Sequence, residues 1–418
     1  MTKRLFVCRH RENNEVIINI MNRKISTGVL SALALVPIIC SFNAIAQDAP
    51  ITMPLKSVPT FSTANIGRQG HFYVGGKWVG EPGKEYMRGA MYVEVWVPKV
   101  IRYKYPIVFI QSGGGQTNVA MLQTPDGRPG WAYDFVNRGY TVYMLDLPAR
   151  GRSAYVPGVD GDMTPPRSGS LMEEVWSNGR PQATPQSSWP QAKKHTQWPG
   201  DGLNKGKMGD PVFDYFAKTD TQTPTGGDLE QVAADDIVEL MDLIGQPVIL
   251  LLHSGVAPSG WMAADSRPKL VKGIVAAEPV SPPIEEAERG RTGPGRLWGL
   301  TNLPVKYDPP IKDPSELHPV RQDKPDGPGL IPCWVQTEPA HKLANLEAIP
   351  VLNVSGEASY HRPYSHCTAK WLNQAGVKTT YVNLEDVGLP GNGHQMMSEK
   401  NSAGIANFFM DWLEKNVR

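Results

Sequence analysis

One stretch of the sequence places a potential nucleophile at the end of an apolar run. Residues 248–254 read VILLLHS, and Gly255 follows the serine. An aliphatic run of this length is typical of a strand buried on both faces of a parallel sheet. A serine on the sharp turn from such a strand into a helix is a nucleophile elbow. The usual G-x-S-x-G frame is incomplete, because Leu252 and Val256 stand where its glycines belong. Taken alone, the stretch therefore fits an elbow or a plain strand end equally well.

Residues that could complete a serine-based acyl transfer follow at the ends of later strands. A serine hydroxyl is a poor nucleophile, so an imidazole must take its proton, and His394, in a glycine-rich turn, is best placed. A carboxylate must orient the imidazole. The strand pattern slightly favours Glu357 and leaves Glu278, one strand earlier, open. Neighbours on a strand face opposite ways, so we predict that His253 is a packing residue. The order serine, acid, histidine is that of α/β-hydrolases.

Acyl transfer also needs backbone N–H donors for the oxyanion that develops on the carbonyl oxygen. Gly255 directly follows the serine, and Gly113 and Gly114 follow a predicted strand at 105–111. Glycine allows the backbone to approach a ligand closely. We therefore predict an oxyanion hole built from these three glycines.

A regular alternation of strands and helices is predicted to position these residues. Buried strands are predicted at 105–111, 141–147, 248–252, 270–279, 349–357 and 378–388, and helices at 130–140, 228–245, 363–375 and 401–416. Two β-rich runs within 71–98 predict antiparallel edge strands. The fold class is therefore α/β, with a mostly parallel, doubly wound sheet. In such sheets, ligands bind at the carboxyl ends of the strands.

Two long stretches interrupt the alternation. Residues 154–227 are rich in proline, glycine, serine and tryptophan without a clear period, and residues 281–346 form a second proline-rich insertion. Segments this long without regular structure are usually functional, which favours a lid over a passive surface insertion. Residues 47–418 are therefore predicted to form one domain with two cap or lid insertions.

The N-terminus has the features of an export signal. Residues 21–46 combine a basic start, an apolar stretch interrupted by a proline, and the small-residue ending AIA. A membrane anchor is the alternative reading of the apolar stretch. We predict cleavage after Ala46 of a signal peptide that covers residues 1–46 or starts at Met21. The mature chain, residues 47–418, would then be periplasmic or secreted, without a lasting membrane anchor.

The balance of charges in the sequence argues against nucleic acid as a partner. With 42 Lys+Arg against 41 Asp+Glu, the formal net charge of +1 gives no electrostatic case for nucleic acid.

Of four cysteines, Cys333 and Cys367 lie beyond the signal; in an exported chain they predict one disulfide, with two buried free thiols as the alternative. His361 and His366 do not share a helical face, and no C-x-x-C spacing occurs. Neither a metal nor another cofactor is predicted.

The chain resembles a group of atypical bacterial α/β-hydrolase esterases, the esterase 713-like type. The strings that carry the resemblance run in order through most of the mature chain: FYVGG at 72–76, TPDGRPGW at 124–131, ARGRSA at 149–154, HS at 253–254, AEP at 277–279 and LEDVG…GNGH within 384–394. In that family the acid is a glutamate at the AEP-type position. The resemblance therefore implies Glu278 as the acid, in place of the Glu357 that the strand pattern favours.

Together these features predict a serine hydrolase for a small-molecule carboxylic ester. In this prediction Ser254 attacks the carbonyl, His394 relays the proton, and Glu278 orients His394. A lactonase or an amidase could use the same three residues. An inactive hydrolase fold kept as a binding protein is a further alternative, because the bulky Leu252 could strain the elbow.

Overall fold

The computed structural model describes residues 11–12, 15–16, 59–111, 116–177 and 189–417. The chain divides into two units, Met1–Gln47 and Asp48–Arg418. In the first unit, Arg11–Glu12 and Glu15–Val16 pair as two short antiparallel strands; the rest of the predicted signal peptide lies outside the described residues. Among the described helices, none is both long and apolar enough to cross a bilayer.

The second unit is built on an eight-stranded sheet. Ten strands are labelled in chain order: β1 (Ile66–Val79), β2 (Tyr86–Pro98), β3 (Ile107–Ile110), β4 (Val142–Asp146), β5 (Val248–Ser254), β6 (Val271–Pro279), β7 (Pro319–Arg321), β8 (Trp334–Gln336), β9 (Val351–Ser355) and β10 (Thr379–Asn383). The sheet order is β10-β9-β6-β5-β3-β4-β2-β1, and β7 and β8 pair separately. Along this order, the six strands β10, β9, β6, β5, β3 and β4 are parallel. Strands β2 and β1 run antiparallel at one edge. The predicted antiparallel edge strands are confirmed.

Helices cover both faces of this sheet. The described helices are labelled α1 (Val119–Leu122), α2 (Trp131–Arg138), α3 (Gly169–Val175), α4 (Pro211–Lys218), α5 (Leu229–Ile244), α6 (Ala257–Ser266), α7 (Ser365–Gln374) and α8 (Ser402–Asn416). Residues of α5, α6 and α7 share one core with the sheet, and residues of α2 and α8 share the other. Strand β5 is buried throughout and feeds both cores, because its alternate side chains point to opposite faces. The predicted doubly wound α/β architecture is confirmed.

The first insertion is more regular than its sequence indicates. Residues 154–227 contain α3 and α4, although no helical period is visible. In α3, Glu173 and Glu174 are buried beside Met172 and Val175, so the pattern of apolar and polar residues is lost. The insertion and the main domain share an aromatic cluster whose members include Trp176, Trp189, Trp198, Phe213, Phe216 and Tyr360.

The second insertion is tied to the main domain by a covalent bond. Cys333, just before β8, is joined to Cys367 in α7, with an S–S distance of 2.07 Å. Nε2 of His366 lies 3.2 Å from Sγ of Cys333. Because both sulfurs are in the disulfide, this group of three side chains offers no thiolate to a metal ion.

Candidate active site

The serine of the apolar run lies on a strained turn. Strand β5 ends at Ser254, whose φ is +57°, and α6 begins three residues later at Ala257. A residue other than glycine rarely adopts this left-handed conformation, and where it does the site is often functional. Ser254 is 4% exposed. The local geometry is therefore that of a nucleophile elbow.

The two missing glycines of the elbow are accommodated in different ways. A methyl group built on Gly260 would lie only 2.2 Å from Cδ2 of Leu252 and 3.3 Å from Cδ1 of Ile110. Gly260 in α6 therefore provides the space for the leucine in β5, and the strand and helix still pack closely. Val256 has φ of −103°, which any residue adopts, so this position does not require glycine.

Three predicted residues form a continuous hydrogen-bonded row. Nε2 of His394 lies 2.8 Å from Oγ of Ser254, and Nδ1 of His394 lies 2.5 Å from Oε2 of Glu278. Glu278 is the last residue but one of β6, beside β5 in the sheet, and His394 lies in the loop between β10 and α8. The histidine and the glutamate are 1% and 0% exposed. The row can carry a proton from the hydroxyl to the imidazole.

The Glu278 carboxylate accepts further hydrogen bonds that hold it in place. Oγ of Ser359 donates to Oε2 at 2.6 Å, and the backbone N–H of Gly356 donates to Oε1 at 2.7 Å. Complete burial raises the pKa of Glu278, and these two donors oppose the rise by stabilising the carboxylate. Burial lowers the pKa of His394, so its ring is neutral at neutral pH and Nε2 can accept a proton.

Three more rings enclose His394. His361 stacks on it with ring centroids 4.2 Å apart, His253 stacks at 4.5 Å, and Tyr360 lies at 4.8 Å. His253 is a buried packing residue, and it packs on His394 itself. Burial lowers the pKa of both flanking histidines, so these rings are neutral and shield the base from water. No sequence pattern marks His361 or Tyr360 beyond their position shortly after β9.

Glu357, the other candidate acid, lies apart from His394. Its Oε1 accepts from Nζ of Lys194 at 2.9 Å, and its Oε2 accepts from the backbone N–H of Gly391 at 2.9 Å. The carboxylate thus links the first insertion to the turn before the histidine. In this geometry it does not serve as the partner of the imidazole.

The predicted oxyanion donors are only partly described. Gly255 is solvent-exposed, and its N–H makes no hydrogen bond within the described part of the chain, so it is free to donate to a ligand. Gly113 and Gly114 lie outside the described residues.

Three ligand-type side chains come close together at the same place. Glu278, His361 and His394 offer atoms within 4.8 Å of one another. The carboxylate oxygens of Glu278 and both ring nitrogens of His394 are already hydrogen-bonded. This group therefore serves the proton relay better than it would serve a cation.

The fold and this row of residues define an α/β-hydrolase. No protein-family model matches the chain. It is 41% identical over 346 residues to the Probable secreted lipase phiG of a fungal species (strain ATCC 74256), an alignment that covers 82% of the chain and 89% of the lipase. The chain belongs to the family of this lipase. A solved structure described as a novel bacterial esterase superposes with a TM-score of 0.57 over 87% of the chain and 100% of the esterase; at 19% identity, this likeness concerns the fold.

Proposed function

We propose that the protein is a serine hydrolase that cleaves a carboxylic ester through an acyl-enzyme intermediate. The observation that carries the proposal is the row from Ser254 through His394 to Glu278, with its serine on a left-handed turn. Each residue stands where acyl transfer needs it: the nucleophile beside a base, and the base beside a buried carboxylate. Kinship with a secreted lipase supports ester hydrolysis as the reaction.

In the first half of the reaction, Oγ of Ser254 attacks the ester carbonyl and its proton passes to Nε2 of His394. Glu278 stabilises the resulting imidazolium through Nδ1. The oxyanion is held by the N–H of Gly255 and, in this proposal, by Gly113 or Gly114. The imidazolium then protonates the leaving alcohol.

In the second half, water completes the reaction. His394 takes a proton from a water molecule, which attacks the acyl carbon; the proton returns to Ser254 as the acid is released. The same residues could open a lactone or cleave an amide, and no described contact favours either substrate over an open-chain ester.

The alternative of an inactive binding protein depended on the bulky Leu252. The space at Gly260 removes that objection, because the leucine packs without displacing the turn. Ser254 keeps the elbow conformation and the contact with His394 that a nucleophile requires. These observations support a working enzyme.

Labelling with a fluorophosphonate tests the proposal directly. Mature protein is treated with the probe, and the modified peptide is mapped by mass spectrometry beside Ser254→Ala. The label is expected on Ser254, and Glu278→Gln is expected to slow labelling by roughly 10²-fold or more because the imidazolium loses its carboxylate. Glu357→Gln is the matched control, since it removes a nearby carboxylate that binds elsewhere. An unlabelled but folded wild-type protein would refute the hydrolase, and equal slowing by both variants would refute Glu278 as the acid.

We further propose that residues 1–46 are a signal peptide and that residues 154–227 and 281–346 cap the active site. Kinship with a secreted lipase and the bond between Cys333 and Cys367 support export, because disulfides persist in oxidising compartments. Within the family, kinship with the esterase 713-like type stays a proposal that rests on the sequence strings.

A further inference from the structure

A second buried carboxylate lies beside the catalytic loop. Glu399 is 0% exposed and accepts three hydrogen bonds. Nε2 of His195 lies 2.7 Å from its Oε1, the backbone N–H of Gly393 donates to the same oxygen at 2.8 Å, and Nδ2 of Asn392 donates to Oε2 at 2.6 Å. These three donors satisfy both oxygens of the buried carboxylate.

The histidine of this couple comes from the first insertion, which lies along the same loop. Backbone N–H groups of Thr196 and Gln197 donate to the Gly391 carbonyl at 3.0 and 3.2 Å, and the Lys400 N–H donates to the Gln197 carbonyl at 2.9 Å. A Cβ atom on Gly391 would lie 2.0 Å from Oγ1 of Thr196, so the segments are in close contact. His195, 2% exposed in its side chain, is part of this joint.

Glu399 can act on the base in two ways. It binds the peptide N–H of Gly393, the residue before His394, and so fixes the direction from which the imidazole enters the site. Its negative charge also raises the pKa of His394, against the larger effect of burial, whereas the guanidinium of Arg289 lowers it. The remaining titratable groups facing the imidazole are Glu278, His253, His361 and Tyr360.

We propose that Glu399 is a positioning residue for the catalytic histidine. Together with His195 it forms a second histidine–carboxylate couple, which holds the loop of His394 and favours positive charge on the imidazole while Ser254 gives up its proton. This inference rests on the proposed function. In this proposal, the contact between the first insertion and the loop of His394 supports catalysis and does more than tether the two segments.

The test compares Glu399→Gln with Glu357→Gln on an activated ester, with kcat referred to the amount of Ser254 that a fluorophosphonate titrates. Both variants remove a carboxylate that links the first insertion to the same loop, but only Glu399 contacts the residue before His394. Glu399→Gln is expected to lower kcat roughly tenfold, with KM little changed, through the loss of one charge near the base. Glu357→Gln is expected to stay within about twofold of the wild type.

A compensating variant separates charge from tethering. Removing the cation by Arg289→Gln in the Glu399→Gln background is expected to restore kcat severalfold, because the two charges act on His394 with opposite sign. A simple tether would not be restored in this way. If Glu399→Gln does not fold, His195→Leu removes one of the groups that hold the carboxylate and should lower kcat because the loop of His394 is held less firmly.

The outcomes separate a failure of the role of Glu399 from a failure of the proposed function. Wild-type kcat in Glu399→Gln or in His195→Leu, an equal loss in Glu357→Gln, or no recovery in the double variant would each overturn the role of Glu399. A wild-type protein that the probe does not label at Ser254 would instead overturn the proposed function itself.

Discussion

Replacing Gly260 by alanine should disturb the elbow through Leu252. The new Cβ would lie 2.2 Å from Cδ2 of Leu252, well inside the roughly 3.4 Å of an ordinary contact, and the leucine is completely buried against Ile110. Relieving the overlap must move α6 or force the leucine off its rotamer, at a cost of about 1–3 kcal/mol. Alanine is intrinsically better than glycine inside a helix by about 1 kcal/mol. The expected net loss is therefore about 0–2 kcal/mol of unfolding free energy.

A double-mutant cycle isolates this contact from other effects of the substitution. Leu252→Ala alone should cost about 2–5 kcal/mol through the cavity it leaves. In that background Gly260→Ala should become neutral or stabilising, because the overlapping methyl group is gone. The expected coupling energy between the two sites is therefore ~2 kcal/mol and favours the double variant.

Guanidinium unfolding of the four proteins, followed by tryptophan fluorescence, measures the cycle. Because α6 directly follows the serine turn, Gly260→Ala should also lower kcat, and the double variant should recover part of that activity. Strictly additive free energies would refute the idea that Gly260 makes room for Leu252. In that case the elbow would tolerate its missing glycine for another reason.

Three further predictions concern stability and export. Burial raises the pKa of Asp236 to about 8. Folding therefore takes up a proton between about pH 4 and about pH 8, and the free energy of unfolding falls as pH rises through this range. In guanidinium unfolding, Asp236→Asn should add roughly 1–3 kcal/mol to the free energy of unfolding at pH 8 and little at pH 4. The Cys333–Cys367 bond spans 34 residues. Changing both cysteines to serine should lower the free energy of unfolding by about 4 kcal/mol in the same assay. An unchanged guanidinium midpoint would contradict this. The exported protein should begin directly after Ala46 on N-terminal sequencing, and retention of the apolar stretch would rule out the cleavage site.

The parts of the site that the sequence predicts are those with local signals. Strand β5 and the serine at its end are visible because the run of five aliphatic residues at 248–252 is a local pattern. The choice between Glu278 and Glu357 is different, because Glu278 lies at the end of β6 and Glu357 just after β9, and these strands are parallel neighbours in one sheet. Their directions depend on the path of the following backbone: Glu278 turns with φ of +51° towards His394, whereas Glu357 turns towards Lys194. The strand pattern alone favours Glu357, whereas the carboxylate that contacts His394 is Glu278, the residue that the family resemblance implies.

The other features depend on contacts between distant parts of the chain. His195 and Glu399 are 204 residues apart, and the pair forms only because the first insertion returns to the catalytic loop. The space for Leu252 likewise comes from Gly260. The need for glycine at this position is visible only when α6 and β5 are in contact. The helix α3 escaped prediction because it buries charged Glu173, which a period of apolar residues does not reveal.

The joint between the first insertion and the histidine loop links the position of the insertion to that of the base. Any movement that lifts residues 195–197 away must break their hydrogen bonds to Gly391 and Lys400 and the contact between His195 and Glu399. The loop that presents His394 would then lose the contacts that hold it against the insertion. The strength of this joint therefore sets how firmly the base is held beside Ser254.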